Sequence, residues 1–502
     1  MTRFSLMDEV WLRRLFFALA LLYILPFWTV RYLPTTDGAC HTYNAWIMRQ
    51  YGNTEQYPLF QQYYEINWRP YPNWIGHATM ALLMFVVPPL VAEKLLVSGY
   101  VLLFLGGAWY LAGSVRPGER WLAFLAFAFP YHQFFQLGFY NFSISIALFL
   151  VVLGYWWRNR ESSGAAFAVK INLLLGLCYF AHIVSFTLAL GAIGVLWLTT
   201  LRRESWRRHL LHIPILIPQL VLPFWFVMGE GSRAVPPAWP FRRLLKYFLD
   251  LRILMSFSDL QRRAGAVLAV FFLLLLLLTL WRKSRRRPFF DRADAFLLLA
   301  VLSAVLVFAS PTGMAGGGLL KQRLCPYPFL LLLPWFSPGL GPMARKTGVA
   351  ALAAAALLNL GFLTYWYRVR GAEVERFLSG LEAVQPNTRV LALLFRRPGP
   401  TDVLSHAMGY QAIEKGLIDW DNYEAKLWYF PTRFRGSLVV PYIAGSVKTP
   451  GAVRVKVNEE LIDAFYTWHM PPRAPLRRRL KRSYEHLPTP YGGELWLRRA
   501  AP

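Results

Sequence analysis

Pro34-Thr-Thr-Asp37-Gly38-Ala-Cys-His41-Thr-Tyr-Asn-Ala-Trp46 follows the first long apolar run of this 502-residue chain. That run, roughly 11–30, closes at Arg31-Tyr32, which predicts Asp37 just past a membrane edge, on the face opposite the N-terminus. An acid so close to lipid is costly unless it is used. Gly38 lets the backbone turn beside it. A helical pattern then begins, so Asp37 is also a candidate N-cap. The surrounding architecture has to decide between a cap and a chemical group.

The chain is 56% hydrophobic and 16% aromatic, with a mean hydropathy of +0.34. Its charged residues make up 16%, against about 25% in soluble proteins, and several apolar runs are long enough to cross about 30 Å of hydrocarbon. The net charge of +27 does not point to nucleic acid, because much of it sits in short loops between apolar runs, as the positive-inside rule expects. Cys40, Cys178 and Cys325 give no disulfide framework. The first apolar run has no small-residue cleavage site and reads as a retained span, not a removed signal peptide.

Twelve apolar segments can be counted, near 11–30, 76–91, 95–113, 121–137, 140–157, 166–181, 183–200, 210–228, 264–281, 294–310, 323–339 and 347–366. Arg13-Arg14, the Arg202–Arg208 cluster, Arg282–Arg287 and Arg345-Lys346 mark cytoplasmic loops. That assignment puts both the first loop and the tail outside and requires an odd number of crossings. The segment 121–137 is short, contains Pro130 and ends in polar residues, so it is expected to re-enter instead of crossing. Eleven crossings follow. Pro88-Pro89 and Glu93-Lys94 are expected to break the chain between the second and third spans.

The first external loop, 31–75, is dense in Tyr, Trp, Asn and Pro. Its His41, Asn44 and Met48 share a helical face, as in a helix lying along a bilayer. In 229–263, Phe241, Arg242, Arg243, Leu244, Leu245, Lys246, Phe248 and Leu249 read as a basic amphipathic helix on anionic headgroups. Beyond Tyr367 a small α/β domain is expected. It has a buried strand at Arg389–Phe395, a helix around His406–Lys415, short apolar runs at 438–444 and 452–457, and a last strand at Glu494-Leu-Trp-Leu. The expected division is a membrane module over 1–366 and an external domain over 367–502.

No Ser-His-Asp elbow, HExxH, Walker or dinucleotide fingerprint, or CxxC pair is present. What remains is a set of polar residues predicted on the external face: Asp37 and His41, one helical turn apart; Glu65 and Arg69 in the same loop; His182, which interrupts an apolar pair; and Lys321-Gln322-Arg323 after a glycine-rich stretch. Arg323 is a cation at the depth of a lipid phosphate, which guanidinium binds in bidentate fashion. It also fits snorkelling to headgroups. His182 taken alone fits a satisfied core polar group.

One span, a long external loop opening on Thr36-Asp37-Gly38, many further spans and an external α/β tail resemble the GT-C class of integral-membrane glycosyltransferases. Asp37-Gly-Ala-Cys-His41-Thr-Tyr-Asn-Ala, His406-Ala-Met-Gly-Tyr-Gln-Ala-Ile-Glu-Lys-Gly416, Asn422-Tyr-Glu-Ala and Phe430-Pro431 resemble bacterial members. The resemblance implies a mainly α, polytopic helical bundle of GT-C type with an extracytoplasmic α/β domain, in the inner membrane of a bacterium. It implies a polyprenyl-phosphate sugar as donor, a lipid, glycan or protein as acceptor, inversion at the anomeric carbon, and Asp37 as catalytic base. His41, Glu65, Arg69, His182, Lys321, Gln322 and Arg323 are the substrate-binding candidates. Some members carry a paired Asp-x-Asp motif. Here Ala39 takes the third place, so no metal is expected from that motif and no cofactor is assigned. The rival readings are a transporter of lipid-linked sugars, against which stands the lack of an internal repeat, and a non-catalytic membrane scaffold.

Overall fold

The computed structural model describes residues 3–201, 206–229, 239–285, 288–314, 317–396, 401–438 and 450–499. Arg202, Arg203, Arg286, Arg287, Gly316 and most of the 438–444 run lie outside the described residues. Six helices among those described are long and apolar enough to cross a membrane: Glu9–Trp28, Pro89–Val115, Tyr140–Asn159, Ile183–Thr200, Asp259–Ser284 and Pro342–Ser379. Ala165–Ala181, His212–Phe226 and Asp294–Ala309 are apolar and shorter.

Two runs expected to cross take another form. In the first, Ile75–Leu83 makes only nine helical residues, about 14 Å of rise, before Pro88-Pro89 restarts the helix. In the second, Leu320–Leu324 is separated from Pro326–Leu332 at Cys325, where Pro326 opens the next helix. The segment expected to re-enter is a 3-10 helix, Pro117–Ala128, followed by the single turn Gln133–Gln136. Nearly all of it is buried in protein, the setting in which irregular backbone is tolerated at membrane depth.

Glu93 corrects the expected break between spans. It lies inside the Pro89–Val115 helix and is buried, not at a boundary. The hydroxyls of Tyr140 (2.8 Å) and Tyr410 (2.9 Å) donate to its carboxylate and take the place of water.

The tail contains a five-stranded sheet. In chain order the strands are β1 (Tyr64–Ile66), β2 (Arg389–Leu394), β3 (Ile418–Asp419), β4 (Thr432–Phe434), β5 (Ala464–Trp468), β6 (Tyr484–Pro488) and β7 (Gly493–Arg498). The sheet runs β3-β2-β5-β7-β6, with β2 parallel to β3 and β5 and with β7 antiparallel to β5 and β6. Its first strand and its last are those read from the sequence. The 452–457 run instead joins two 3-10 turns. One helix, Pro342–Ser379, passes without interruption from the helical core, where Tyr367 is buried, into the tail core, where Val374 and Phe377 are buried.

The first loop does not lie free along a bilayer. β1 pairs with β4 of the tail, Glu65 opposite Arg433. The Gly38–Gln50 helix is wedged between two cores, with Ala45 in the helical one and Ala39, Tyr43 and Ile47 in the tail's. The small residues are what permit this. A Cβ on Gly409, in the tail helix Met408–Lys415, would come within 2.7 Å of the Ala39 carbonyl. The face expected to meet lipid is therefore packed inside protein at His41 and Asn44. The basic amphipathic helix is present as Phe241–Leu249. It buries Leu244 and Tyr247 and exposes Phe241 and Leu249.

Candidate functional site

Asp37 stands at the N-terminus of the Gly38–Gln50 helix, yet its side chain makes no capping bond. Its backbone is pinned instead. The Thr36 and Asp37 amides donate to the carbonyls of Gln136 and Leu137, each at 3.1 Å. The following Gly138, at φ +83°, lies so close that a Cβ would be 2.6 Å from the Asp37 and Gly38 nitrogens. A left-handed φ with that approach requires glycine.

The freed carboxylate is buried and faces the tail. The Tyr423 hydroxyl donates to Oδ2 at 3.0 Å, and His406 Nε2 lies 3.6 Å from Oδ1. Burial pushes the Asp37 pKa up, while His406, His41 and Tyr423 pull it back part of the way. Burial opposes charging the His406 ring, but Asp421 and Asp37 outweigh it and hold its pKa up at about 9. His406 Nδ1 is 3.3 Å from Asp421 Oδ2, an ion-pairing distance without hydrogen-bond alignment. Asp419, buried beside Asp421, is pushed up to about 7.

Asp37 and Arg323 line the same cavity, of about 610 Å³. Its walls are mostly apolar, with Val184, Leu188, Pro223, Phe226 and Leu306 among them. The Arg323 guanidinium sits 4.8–5.8 Å from the rings of Phe134, Phe139 and Phe142, a cation–π setting. Its Nη1 is 2.6 Å from His182 Nε2, and its buried Nε has no partner among the described residues. His182 Nδ1 accepts the Val184 amide at 3.2 Å, capping Ile183–Thr200. A neutral ring has one lone pair for these two donors, the Arg323 N–H and the Val184 amide, so hydrogens outnumber acceptors around it. Arg323 and His182 stand side by side on the cavity wall.

His41 lines this cavity too, and its Nδ1 meets Glu424 Oε1 at 2.5 Å and His77 Nε2 at 3.2 Å. His77 Nε2 is 2.9 Å from Glu424 Oε2, and all three residues are buried. Asn44 Nδ2 donates to Glu424 Oε2 at 2.6 Å. Burial opposes the Glu424 charge, but His41 and His77 hold its pKa below the ordinary range.

The structure thus brings Asp37, His41, His182 and Arg323 to one cavity. It separates the other candidates from it. Glu65 pairs with Arg433 at 3.2 Å on the strand edge. Arg69 bonds the Tyr71 hydroxyl at 3.1 Å. Lys321 donates to the Phe308 carbonyl at 2.7 Å, a cation closing the end of a helix. Gln322 is buried, does not line the cavity, and its side-chain amide has no hydrogen-bond partner among the described residues. Sequence reasoning missed His77 and gave no role to His406, Tyr423 or Glu424, although the last three fall in the stretches that carried the family resemblance.

No family model matches the chain, and no curated protein does. Among solved structures it is similar to ArnT from Cupriavidus metallidurans bound to undecaprenyl phosphate. The TM-score is 0.56 over 97% of this chain and 98% of that one, at 12% identity. The chain shares the ArnT fold, in line with the resemblance to the GT-C class read from the sequence.

Proposed function

We propose that this protein transfers a sugar from a polyprenyl-phosphate donor to a lipid, glycan or protein acceptor at the external face of a bacterial inner membrane. The observation that carries this reading is an uncapped, buried carboxylate in the same apolar-walled cavity as the Arg323 guanidinium and its neighbour His182, in a fold whose solved counterpart binds undecaprenyl phosphate.

The acceptor hydroxyl gives its proton to Asp37 as its oxygen attacks the anomeric carbon. Burial suits Asp37 to this, since a raised pKa makes a stronger base at working pH. The bond from that carbon to the phosphate oxygen breaks, and the phosphate leaves with the bonding pair. Arg323, with His182 against its Nη1, then hydrogen-bonds the growing negative charge, where fixed donors act most strongly. Attack from the side opposite the phosphate inverts the anomeric centre. The apolar wall receives the prenyl chain. Tyr423 and His406 hold the Asp37 carboxylate, and His41 orients the acceptor.

The test is turnover in proteoliposomes supplied with a polyprenyl-phosphate sugar, read as free polyprenyl phosphate. Asp37→Asn is expected to lower the rate about a hundredfold to ten-thousandfold with the thermal midpoint retained. A folded Asp37→Asn protein with the normal rate removes the base. Sugar crossing the bilayer with no release of lipid phosphate selects the transporter.

A further inference from the structure

We propose that His41, His77 and Glu424 bind a divalent transition ion, Zn²⁺ by its chemistry, and that the ion staples the tail to the membrane module. The argument stands on hydrogen positions and geometry and does not depend on the transferase reading.

His77 Nδ1 lies 3.1 Å from the Asn73 carbonyl, which can only accept, so Nδ1 carries the hydrogen. The Asn141 amide approaches the same nitrogen at 3.4 Å, but with Nδ1 bare two lone pairs would oppose each other across the shorter contact. The neutral His77 ring therefore turns a lone pair from Nε2 onto Glu424 Oε2 at 2.9 Å. Asn44 donates to that same oxygen at 2.6 Å, which marks it as a carboxylate oxygen and not a hydroxyl. Two acceptors face each other between buried side chains, and a positive species must join them.

A proton on His77 would serve that one contact. It gives no reason for the other, His41 Nδ1 to His77 Nε2 at 3.2 Å. With both rings donating to Glu424, those two nitrogens would present like charge to each other. A shared metal draws them together. Ligands bound at about 2.1 Å in a tetrahedron lie about 3.4 Å apart, and nearer 3.0 Å when packed more tightly. The separations here, 2.5, 2.9 and 3.2 Å, are those of ligand atoms already gathered, and the two shorter pairs must open to about 3.0 Å or more as the ion enters.

The outer contacts fit as well. A metal-binding imidazole commonly donates its other N–H to a backbone carbonyl, as His77 does to Asn73, and a ligating carboxylate is itself hydrogen-bonded, as Glu424 is by Asn44. Two imidazoles and one carboxylate suit zinc better than magnesium or calcium, which favour all-oxygen shells. Three protein ligands also leave a coordination position for water or substrate. The three residues come from the first-loop helix, the Ile75–Leu83 helix and the tail, with Glu424 347 positions beyond His77. Binding there couples to the docking of the tail.

The experiment uses full-length protein without a polyhistidine tag, purified in detergent. Elemental analysis is expected to find about one zinc per chain. A chelator is expected to lower the thermal midpoint by several degrees and to speed proteolysis of the tail, and added ZnCl₂ should reverse both. Glu424→Gln should bind less than a tenth as much zinc, whereas Asp37→Asn keeps it. If Glu424→Gln does not fold, removal and return of zinc in the unaltered protein decides alone. Folded protein that takes up no zinc on dialysis, with a midpoint unmoved by chelator or ZnCl₂, overturns the proposal and leaves a proton-held cluster.

Discussion

The cavity has two histidine-bearing regions, and their hydrogen bonding is opposite in sign. At Arg323–His182 there are more N–H groups than acceptors: a neutral His182 ring has one lone pair for both Arg323 Nη1 and the Val184 amide, and Arg323 Nε has no partner among the described residues. At His41–His77–Glu424 there are more lone pairs than hydrogens. Buried polar groups are normally satisfied, so an imbalance in each direction beside one cavity indicates two ligands of opposite charge. In the readings proposed above, phosphate answers the first region and a metal ion the second. The first-loop acid stands between these assignments, tied to neither, with its carboxylate held by the tail.

Removing the donor surplus should have the largest effect after loss of Asp37 itself. Arg323→Met is expected to lower kcat/KM for the lipid-linked donor about a hundredfold, the worth of hydrogen bonds to a charged group. Arg323→Lys should recover part of this, because the charge returns without the planar fork. An unchanged kcat/KM in Arg323→Met would show that the phosphate binds elsewhere. The scaffold reading makes the opposite forecast, that Asp37 and Arg323 can be replaced together with only stability effects.

Gly138→Ala tests whether the acid must be fixed in place. The new Cβ collides with the Asp37 and Gly38 amides, and the φ of +83° adds strain. A displaced base costs less than an absent one, so the rate is expected to fall about tenfold, with zinc content unchanged. A full rate in the folded variant would mean that Asp37 tolerates movement and the pinning is incidental.

How much of this could be read from the sequence differs between the two regions. Asp37 was legible because a carboxylate directly after a span is costly and local. Arg323 was legible for the same reason, as a cation opening an apolar run. The acceptor-rich region was not. His77 lies inside the 76–91 run and looks like a core histidine, and Glu424 meets it only across 347 residues of chain. No spacing rule connects residues that packing alone brings together. The helix faces misled in a similar way. The polar face of Gly38–Gln50 reads as interfacial until the tail is seen covering it, and Glu93 reads as a break until Tyr140 and Tyr410 are found solvating it. Strands β2 and β7 were readable because a continuous apolar run bounded by turns needs no partner to be recognised.

The third prediction concerns pH. The groups facing His406 are Asp37, Asp421, Asp419 and Tyr423. Its folded pKa of about 9 exceeds the unfolded value near 6.5. Its stabilisation, at most about 3 kcal/mol, is therefore complete below pH 6.5 and is lost as pH rises through 9. The gap in thermal midpoint between wild type and His406→Gln should be widest near pH 6 and close towards pH 9. A gap independent of pH would show that the imidazolium contributes nothing.

The smallest effect is expected at the far end of the Pro89–Val115 helix, where the hydrogen bonding already closes. Arg116 donates to both Asp291 oxygens, at 2.9 and 2.7 Å, and Lys283 bridges Asp291 and Asp294 at 2.8 and 3.0 Å. Permanent cations meet permanent anions there, with Asp291 41% exposed, so water shares the charge. Arg116→Ala should cost about 1 kcal/mol or less and should change neither zinc content nor donor binding. If it altered either, the imbalance at the cavity could not be the feature that distinguishes a ligand site from an ordinary charge cluster. The same chain would then have a balanced cluster that acts on ligands, and the argument for both ions would have to rest on geometry alone.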